Sequence, residues 1–409
     1  MLPSRTIRRR LIGTLFAGSG INRIGFLLAL TVASLAAQDM LGSALWAGLP
    51  AAVGVAGMAL ATTPMSAYMA RRGRRAGMIA GQTIAVAGAL VSAVAVYTGL
   101  FLVLVVGFFL FGAGNSSDRL ARYAAAEVVS PERRGSAIAL VVWAGTVGSV
   151  IGPSLLEPAQ RFGIAIGITG LAGPYLGTAI AFTLAGILIA VLLRPDPLEF
   201  AAEEQAKADT VPMRVSALFR IPKVRFAIVA LVAGQVVMVL IMTMTPIYIR
   251  SAGQSLGIVG LVISAHTLGM FALSPVTGWL ADRLGRIQVV LSGDVLLLIA
   301  GVLAAFASGS DRVLLVGSLF LLGLGWNFGF VAGSALVIED VPPGARLRAQ
   351  GVADAFVWMS GAVATVASGF LLAAGGYVAL SLVGAGLALV PPLVLVRMRR
   401  AAASVQQAT

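Results

Sequence analysis

The stretch Gly278-Trp279-Leu280-Ala281-Asp282-Arg283-Leu284-Gly285-Arg286 is a short charged turn set between two long apolar runs. An earlier stretch, Ser66-Ala67-Tyr68-Met69-Ala70-Arg71-Arg72-Gly73-Arg74, has the same layout 212 positions upstream. Arg71 falls on Arg283, Gly73 on Gly285 and Arg74 on Arg286 at that offset of 212. The same step carries Asn115 onto Asn327, Glu127 onto Glu339, Pro131 onto Pro343, Arg134 onto Arg346 and Ala137 onto Ala349. A register held over so long a span reads as two copies of one half, and fixed-period self-similarity outranks any local signal.

What the halves are made of follows from composition. Of 409 residues, 59% are hydrophobic and only 11% are charged, whereas about a quarter are charged in a soluble chain. The apolar residues come in runs of about twenty, enough to cross a hydrocarbon layer roughly 30 Å thick. Only helices or a closed barrel satisfy their backbone in lipid. Barrel strands alternate apolar and polar residues, but segments such as 100–111 and 313–322 are continuously apolar, so the spans read as helices. There is no cysteine, hence no disulfide framework or thiolate metal site. Arg8, Arg9 and Arg10 precede an apolar run as in a signal peptide. That run continues past Leu30 with no small-residue cleavage site, and reads as a retained first span.

Twelve spans are expected, at roughly 11–37, 43–69, 76–97, 100–128, 136–157, 168–193, 223–249, 256–281, 287–308, 312–339, 348–373 and 376–396. Most connections are short. The exception, 195–222, carries Pro195, Asp196, Pro197, Glu199, Glu203, Glu204 and Lys207 and falls between the two copies. The organisation read from this is a first bundle over 1–194, a linker over 195–222 and a second bundle over 223–409. Of the 29 basic residues, 23 lie on the side of the N-terminus, against Arg161, Arg250 and Arg312 on the other. The positive-inside rule then places both termini in the cytoplasm. The net charge of +13 is thus a topology signal and not a sign of nucleic-acid binding.

Two six-helix halves in the same orientation, joined by a polar linker, with G-x-L-A-D-R-x-G-R at 278–286 and Glu127-Val-Val-Ser-Pro-Glu-Arg-Arg-Gly-Ser-Ala137 at the end of span 4, resemble the major facilitator superfamily over the whole chain. The resemblance implies an all-α integral membrane fold: twelve transmembrane helices in two pseudo-symmetric six-helix bundles, with spans 1, 4, 7 and 10 lining a central cavity. It also implies a charge network that holds the cytoplasmic side shut. Here that network comprises Arg71, Gly73, Arg74, Glu127 and Arg134 in the first half, and Asp282, Arg283, Gly285, Arg286, Glu339 and Arg346 in the second. Arg71 or Arg74 is expected to pair with Glu127, and Arg283 or Arg286 with Glu339. Ala70 departs from the pattern by standing where the second copy has Asp282.

Within the membrane, Asn115, Asp118, Arg119 and Arg122 recur on one helical face of span 4. Charges at that depth face a cavity or a partner. Asn22 and Arg23 on span 1 lie at similar depth, and Arg23 or Arg122 is the expected partner of Asp118. Gln235 on span 7 with Trp326 and Asn327 on span 10 complete the polar set expected around the cavity. His266, the single histidine, Asp118, Asp294 and Asp354 are the groups able to carry a coupling proton. Gly145, Gly148, Gly152 and Pro153 on span 5 partly match the superfamily's antiporter pattern, which points to export. No metalloprotease, Walker or nucleophile-elbow motif is present. The reading is therefore a non-enzymatic secondary transporter of the inner membrane. It exports a small organic solute with the proton as coupling ion, without a cofactor or metal, as a monomer in the bilayer. Uptake or facilitated movement of an organic anion is the alternative within transport, and a non-transporting receptor or scaffold the alternative outside it.

Overall fold

The computed structural model describes residues 3–130, 134–168, 170–200, 215–342 and 345–408, and these are built from helices. In chain order they are α1 (Arg5–Leu41), α2 (Leu49–Arg72), α3 (Arg74–Thr98), α4 (Phe101–Glu127), α5 (Arg134–Ser154), α6 (Leu156–Ala165), α7 (Ala172–Leu192), the short α8 (Val215–Leu218), α9 (Pro222–Ser251), α10 (Leu256–Phe271), α11 (Ser274–Leu284), α12 (Arg286–Phe306), α13 (Arg312–Val337), α14 (Arg346–Leu387) and α15 (Val390–Ala408). Ten stretches among the described residues are long and apolar enough to cross a membrane, against the twelve spans expected. The last, Ala349–Arg400, has 52 residues. At about 1.5 Å per residue that is helix enough for two crossings of a 30 Å layer. It is interrupted at Gly376, where φ is 69°. The expected fifth span coincides with α5, where several side chains lie outside the described residues.

Local chemistry places the breaks. Ser4 caps α1, its hydroxyl accepting from the Ile7 amide, and Gly42 closes the helix in the left-handed conformation. The two charged turns have one backbone solution. Gly73 ends α2 with φ 98° and ψ 157°, and Gly285 ends α11 with φ 95° and ψ 144°. A side chain at either would be strained, so the chain reverses there within one residue.

The helices form two compact units, residues 1–207 with 253–264, and residues 208–252 with 265–409. In the first, α3 and α4 touch backbone to backbone: a Cβ on Gly114 would lie 2.4 Å from the Ala85 nitrogen, and one on Gly88 2.3 Å from the Phe111 nitrogen. In the second, a Cβ on Gly293 of α12 would lie 2.8 Å from the Gly325 oxygen of α13. Small residues let membrane helices approach this closely and gain dispersion contact. The apolar cores at the arginine-rich ends also correspond. Met69, Met78, Ala124, Ala125, Val129, Ala137 and Val141 are buried together in the first unit. Their counterparts 212 positions on, Ala281, Val290, Leu336, Val337, Val341, Ala349 and Ala353, are buried together in the second. The repeat is thus carried by packing as well as by the charged turns.

Candidate functional site

Two kinds of polar construction interrupt the apolar helices: clusters at mid-helix, and ion-pair clasps at the charged turns.

In the first unit the mid-helix cluster joins α1 to α4. Ser19 donates to Asp118 Oδ1 at 2.8 Å. Arg23, one turn along α1 from Ser19, acts on Asp118 electrostatically together with Arg119. It makes no ion pair within 4.0 Å among the described residues, and its guanidinium lies 5.5 Å from the Phe26 ring centroid. Phe26 in turn stacks on Phe111, with centroids 5.5 Å apart. Gly145 and Gly148 on α5 make room for Arg23: a Cβ on Gly148 would sit 2.9 Å from Arg23 Cβ, and one on Gly145 3.5 Å from Arg23 Nε. Arg119 Nε rests 2.8 Å from the Met58 sulfur of α2, which Asn115 Nδ2 also approaches at 3.8 Å. Asn22 is 1% exposed, and neither its amide nitrogen nor its oxygen has a hydrogen-bond partner; Asn115 Oδ1 is likewise unpartnered. The Arg122 side chain lies outside the described residues.

The second unit uses its polar residues differently. Trp326 Nε1 donates to Gln235 Oε1 at 2.9 Å, joining α13 to α9, and both are buried. The indole stacks on Phe330 at 4.6 Å. Asn327, the repeat partner of Asn115, is a clamp. Its Nδ2 donates to the Met270 carbonyl at 2.6 Å and to Ser274 Oγ at 2.7 Å, while its Oδ1 accepts from Thr277 at 2.5 Å. Its amide is therefore satisfied by α11 and the end of α10. His266 is fully buried between α10 and α13. Its Nδ1–H donates to the Leu319 carbonyl at 2.9 Å, and Nε2 has no partner. The structure thus brings Arg23 and Arg119 within electrostatic reach of Asp118, links Asn115 to Arg119 through Met58, leaves Asn22 buried beside Arg23 in the chain, pairs Gln235 with Trp326, and puts Asn327 and His266 at two helix contacts. Asp294, on α12, is buried with its Oδ2 unpartnered.

At the charged turns each half selects one arginine. Arg74 grips Glu127: Nε lies 3.1 and 3.0 Å from the two carboxylate oxygens, and Nη2 bonds Oε1 as well. Arg286 Nη1 bonds Glu339 Oε2 at 2.7 Å. The first clasp is buried, with side-chain exposures of 19% and 3%; the second is open, at 34% and 32%. Each clasp recruits residues that sequence reasoning did not single out. Asp196, just past α7, accepts from the backbone amides of Arg74 at 2.9 Å and Arg75 at 3.0 Å, so it caps α3. Gly73 leaves the space for it, since a Cβ there would lie 2.4 Å from Asp196 Oδ2. In the second unit Lys223, second residue of α9, bonds Glu339 at 2.7 Å and Asp340 at 3.1 Å. Lys223 holds the Glu339 carboxyl below the ordinary glutamate range; Arg286 adds to this and partial burial opposes it. Arg71, Arg72, Asp282 and Arg283 are exposed. Arg283 instead lies over the Trp279 ring, 5.2 Å from its centroid. Arg134 and Arg346 have side chains outside the described residues.

The geometry has relatives. The sequence model of the Major Facilitator Superfamily matches residues 15–257 and 249–408. The chain is similar to the MFS-type transporter YdeG of Bacillus subtilis, with 39% identity over 97% of this chain and 93% of that protein. It is also similar to the riboflavin transporter RfnT of Brucella anthropi, with 27% identity over 92% of each. Among solved structures, that of the nucleoside transporter NupG superposes with a TM-score of 0.74, covering 95% of this chain and 99% of that one at 16% identity, a likeness of fold. A duplicated helical membrane chain, with a glycine-hinged arginine clasp in each copy and a charged cluster inside the first, therefore belongs to the Major Facilitator Superfamily of secondary transporters.

Proposed function

We propose that the protein moves a small organic solute across the inner membrane by alternating access, exporting it in exchange for protons, with both termini in the cytoplasm. One observation carries this reading. The first unit holds Arg23, Asp118 and Arg119 inside an apolar bundle, and beside them unspent hydrogen-bonding capacity on Asn22 and Asn115. A buried amide without a partner costs about 1–3 kcal/mol, a cost that a polar solute lodged there removes. The glycines of α5 seated on α1 favour export, by their likeness to the antiporter pattern. The clasps at Glu127 and Glu339, each tying helices of its own unit, bias which side is open. A monomer is sufficient for this cycle.

A second reading, transport of an organic anion in either direction, is favoured by the excess of arginine over carboxylate in the first unit. The experiment is a ligand panel screened by thermal shift on the purified chain and on Arg23→Gln, followed by flux of the hits in proteoliposomes under an imposed pH gradient. Hits should stabilise the wild type, lose that effect in Arg23→Gln, and leave against an inward proton gradient. Hits bound and moved equally well by Arg23→Gln would overturn the assignment of the site. Acidic hits that move without regard to the pH gradient would favour the second reading.

A further inference from the structure

Each charged turn divides its arginines in two. The inner one, Arg74 or Arg286, is consumed by a carboxylate. Arg75 is also engaged, donating to the Ala190 carbonyl at 3.0 and 2.6 Å. The outer ones, Arg71 and Arg72 in the first turn and Arg283 in the second, are exposed and make no ion pair among the described residues. All three sit at the ends of membrane-crossing stretches, Leu49–Arg72 and Leu256–Leu284. An outward-facing aromatic ring precedes them by about one turn: Tyr68, 44% exposed, and Trp279, 54% exposed. Aromatic rings at a helix end settle at the headgroup level of a bilayer. The guanidiniums beside them therefore lie where lipid phosphates lie. Arg283 spends only the face of its guanidinium on Trp279, which leaves its in-plane N–H donors in the fork that fits two phosphate oxygens.

The turns differ in one charge. Asp282 is exposed next to Arg283 and repels an incoming anion, whereas Ala70 holds the equivalent place before Arg71. The acids near the first turn, Glu127 and Asp196, are already taken by Arg74 and by backbone amides. We infer that Arg71 with Arg72 beside Tyr68, and Arg283 on Trp279, bind the phosphate of an anionic phospholipid, the first turn more tightly because Ala70 replaces the aspartate.

Native mass spectrometry of the full chain, titrated with phosphatidylglycerol or phosphatidylcholine in detergent, tests this. Phosphatidylglycerol should be retained in preference. Each arginine near an anionic headgroup contributes about a five-fold gain in binding, so Arg71→Gln and Arg72→Gln should each weaken retention by about that factor. Arg71→Lys should keep it. Ala70→Asp should weaken binding, and Asp282→Ala should strengthen it. Inorganic phosphate should not displace the lipid. Equal retention of the two lipids, displacement by phosphate, or indifference to both Arg71→Gln and Ala70→Asp would overturn the inference. Unfolding midpoints matching the wild type identify the variants to be compared.

Discussion

The two clasps use the same residue types at the same register and should nevertheless differ several-fold in what they contribute. Consider Arg74→Ala against Arg286→Ala. Glu127 is 3% exposed and takes its guanidinium partner from Arg74. Truncating Arg74 leaves a buried carboxylate without its counter-charge, a loss of about 3–5 kcal/mol. Glu339 is 32% exposed and keeps Lys223 at 2.7 Å after Arg286 is removed. Exposed pairs of that kind contribute about 0–1 kcal/mol. For a unit of 150–250 residues, each kcal/mol moves the unfolding midpoint by roughly 2–4 °C. Arg74→Ala should therefore lower it by roughly 6–20 °C and Arg286→Ala by no more than about 4 °C, followed by intrinsic fluorescence of the purified chain in detergent. The internal control is Arg74→Ala with Glu127→Gln. Removing the stranded charge should restore most of the loss, because the penalty lies in the uncompensated carboxylate and not in the missing contact. Equal drops for the two single variants, or a double variant no better than Arg74→Ala, would refute the reasoning.

Asn327→Ala should cost about 3 kcal/mol, since it removes three hydrogen bonds worth about 1 kcal/mol each. Asn115→Ala, which loses only a contact to the Met58 sulfur, should cost no more than about 1 kcal/mol. Amide hydrogen exchange should rise across 256–284 in the first variant and stay unchanged across 49–72 in the second. The second clasp should also weaken in acid. The Glu339 carboxyl is held below its ordinary range, so the clasp is at full strength above the ordinary glutamate pKa and is lost as pH falls through the lowered value. A distance probe between α12 and α13 at the clasp end should open over that window in the wild type. In Glu339→Gln it should show no such transition.

How much of this is visible in the chain itself depends on what kind of information is asked for. Span and turn positions follow from hydropathy and from glycine, because lipid and backbone sterics act on local sequence. The repeat offset goes further: it fixed the clasps as equivalent pairs, each bridging 53 residues. Which arginine closes each clasp does not follow from it. Arg71 and Arg74 are three residues apart, close in angle on an ideal helix, but Gly73 reverses the chain between them, so only Arg74 starts α3 and faces α4. Asp196 and Lys223 escape a reading of the sequence because Asp196 lies in the polar linker and Lys223 in the first turn of α9 beside it, where no apolar periodicity assigns a face. Asn327 reads as cavity-lining from its place on span 10, yet its amide turns sideways to α11; Asn115, at the same register, has only the Met58 sulfur as a hydrogen-bond partner among the described residues, since Met65 stands where the second copy has Thr277 and the Thr62 hydroxyl, in the place of Ser274, donates to the Met58 carbonyl of its own helix. His266 shows the same limit, as depth along a helix is legible and rotation against a neighbour is not.

Asp196 and Lys223 also lie near the two ends of the 195–222 stretch read as the linker between the repeats. One is fastened to the start of α3 and the other to the carboxylates of Glu339 and Asp340. Each latch is thus fastened in part by a residue from outside its own helix pair, so a substitution at Asp196 or Lys223 acts on a latch without changing the arginine or the glutamate that closes it.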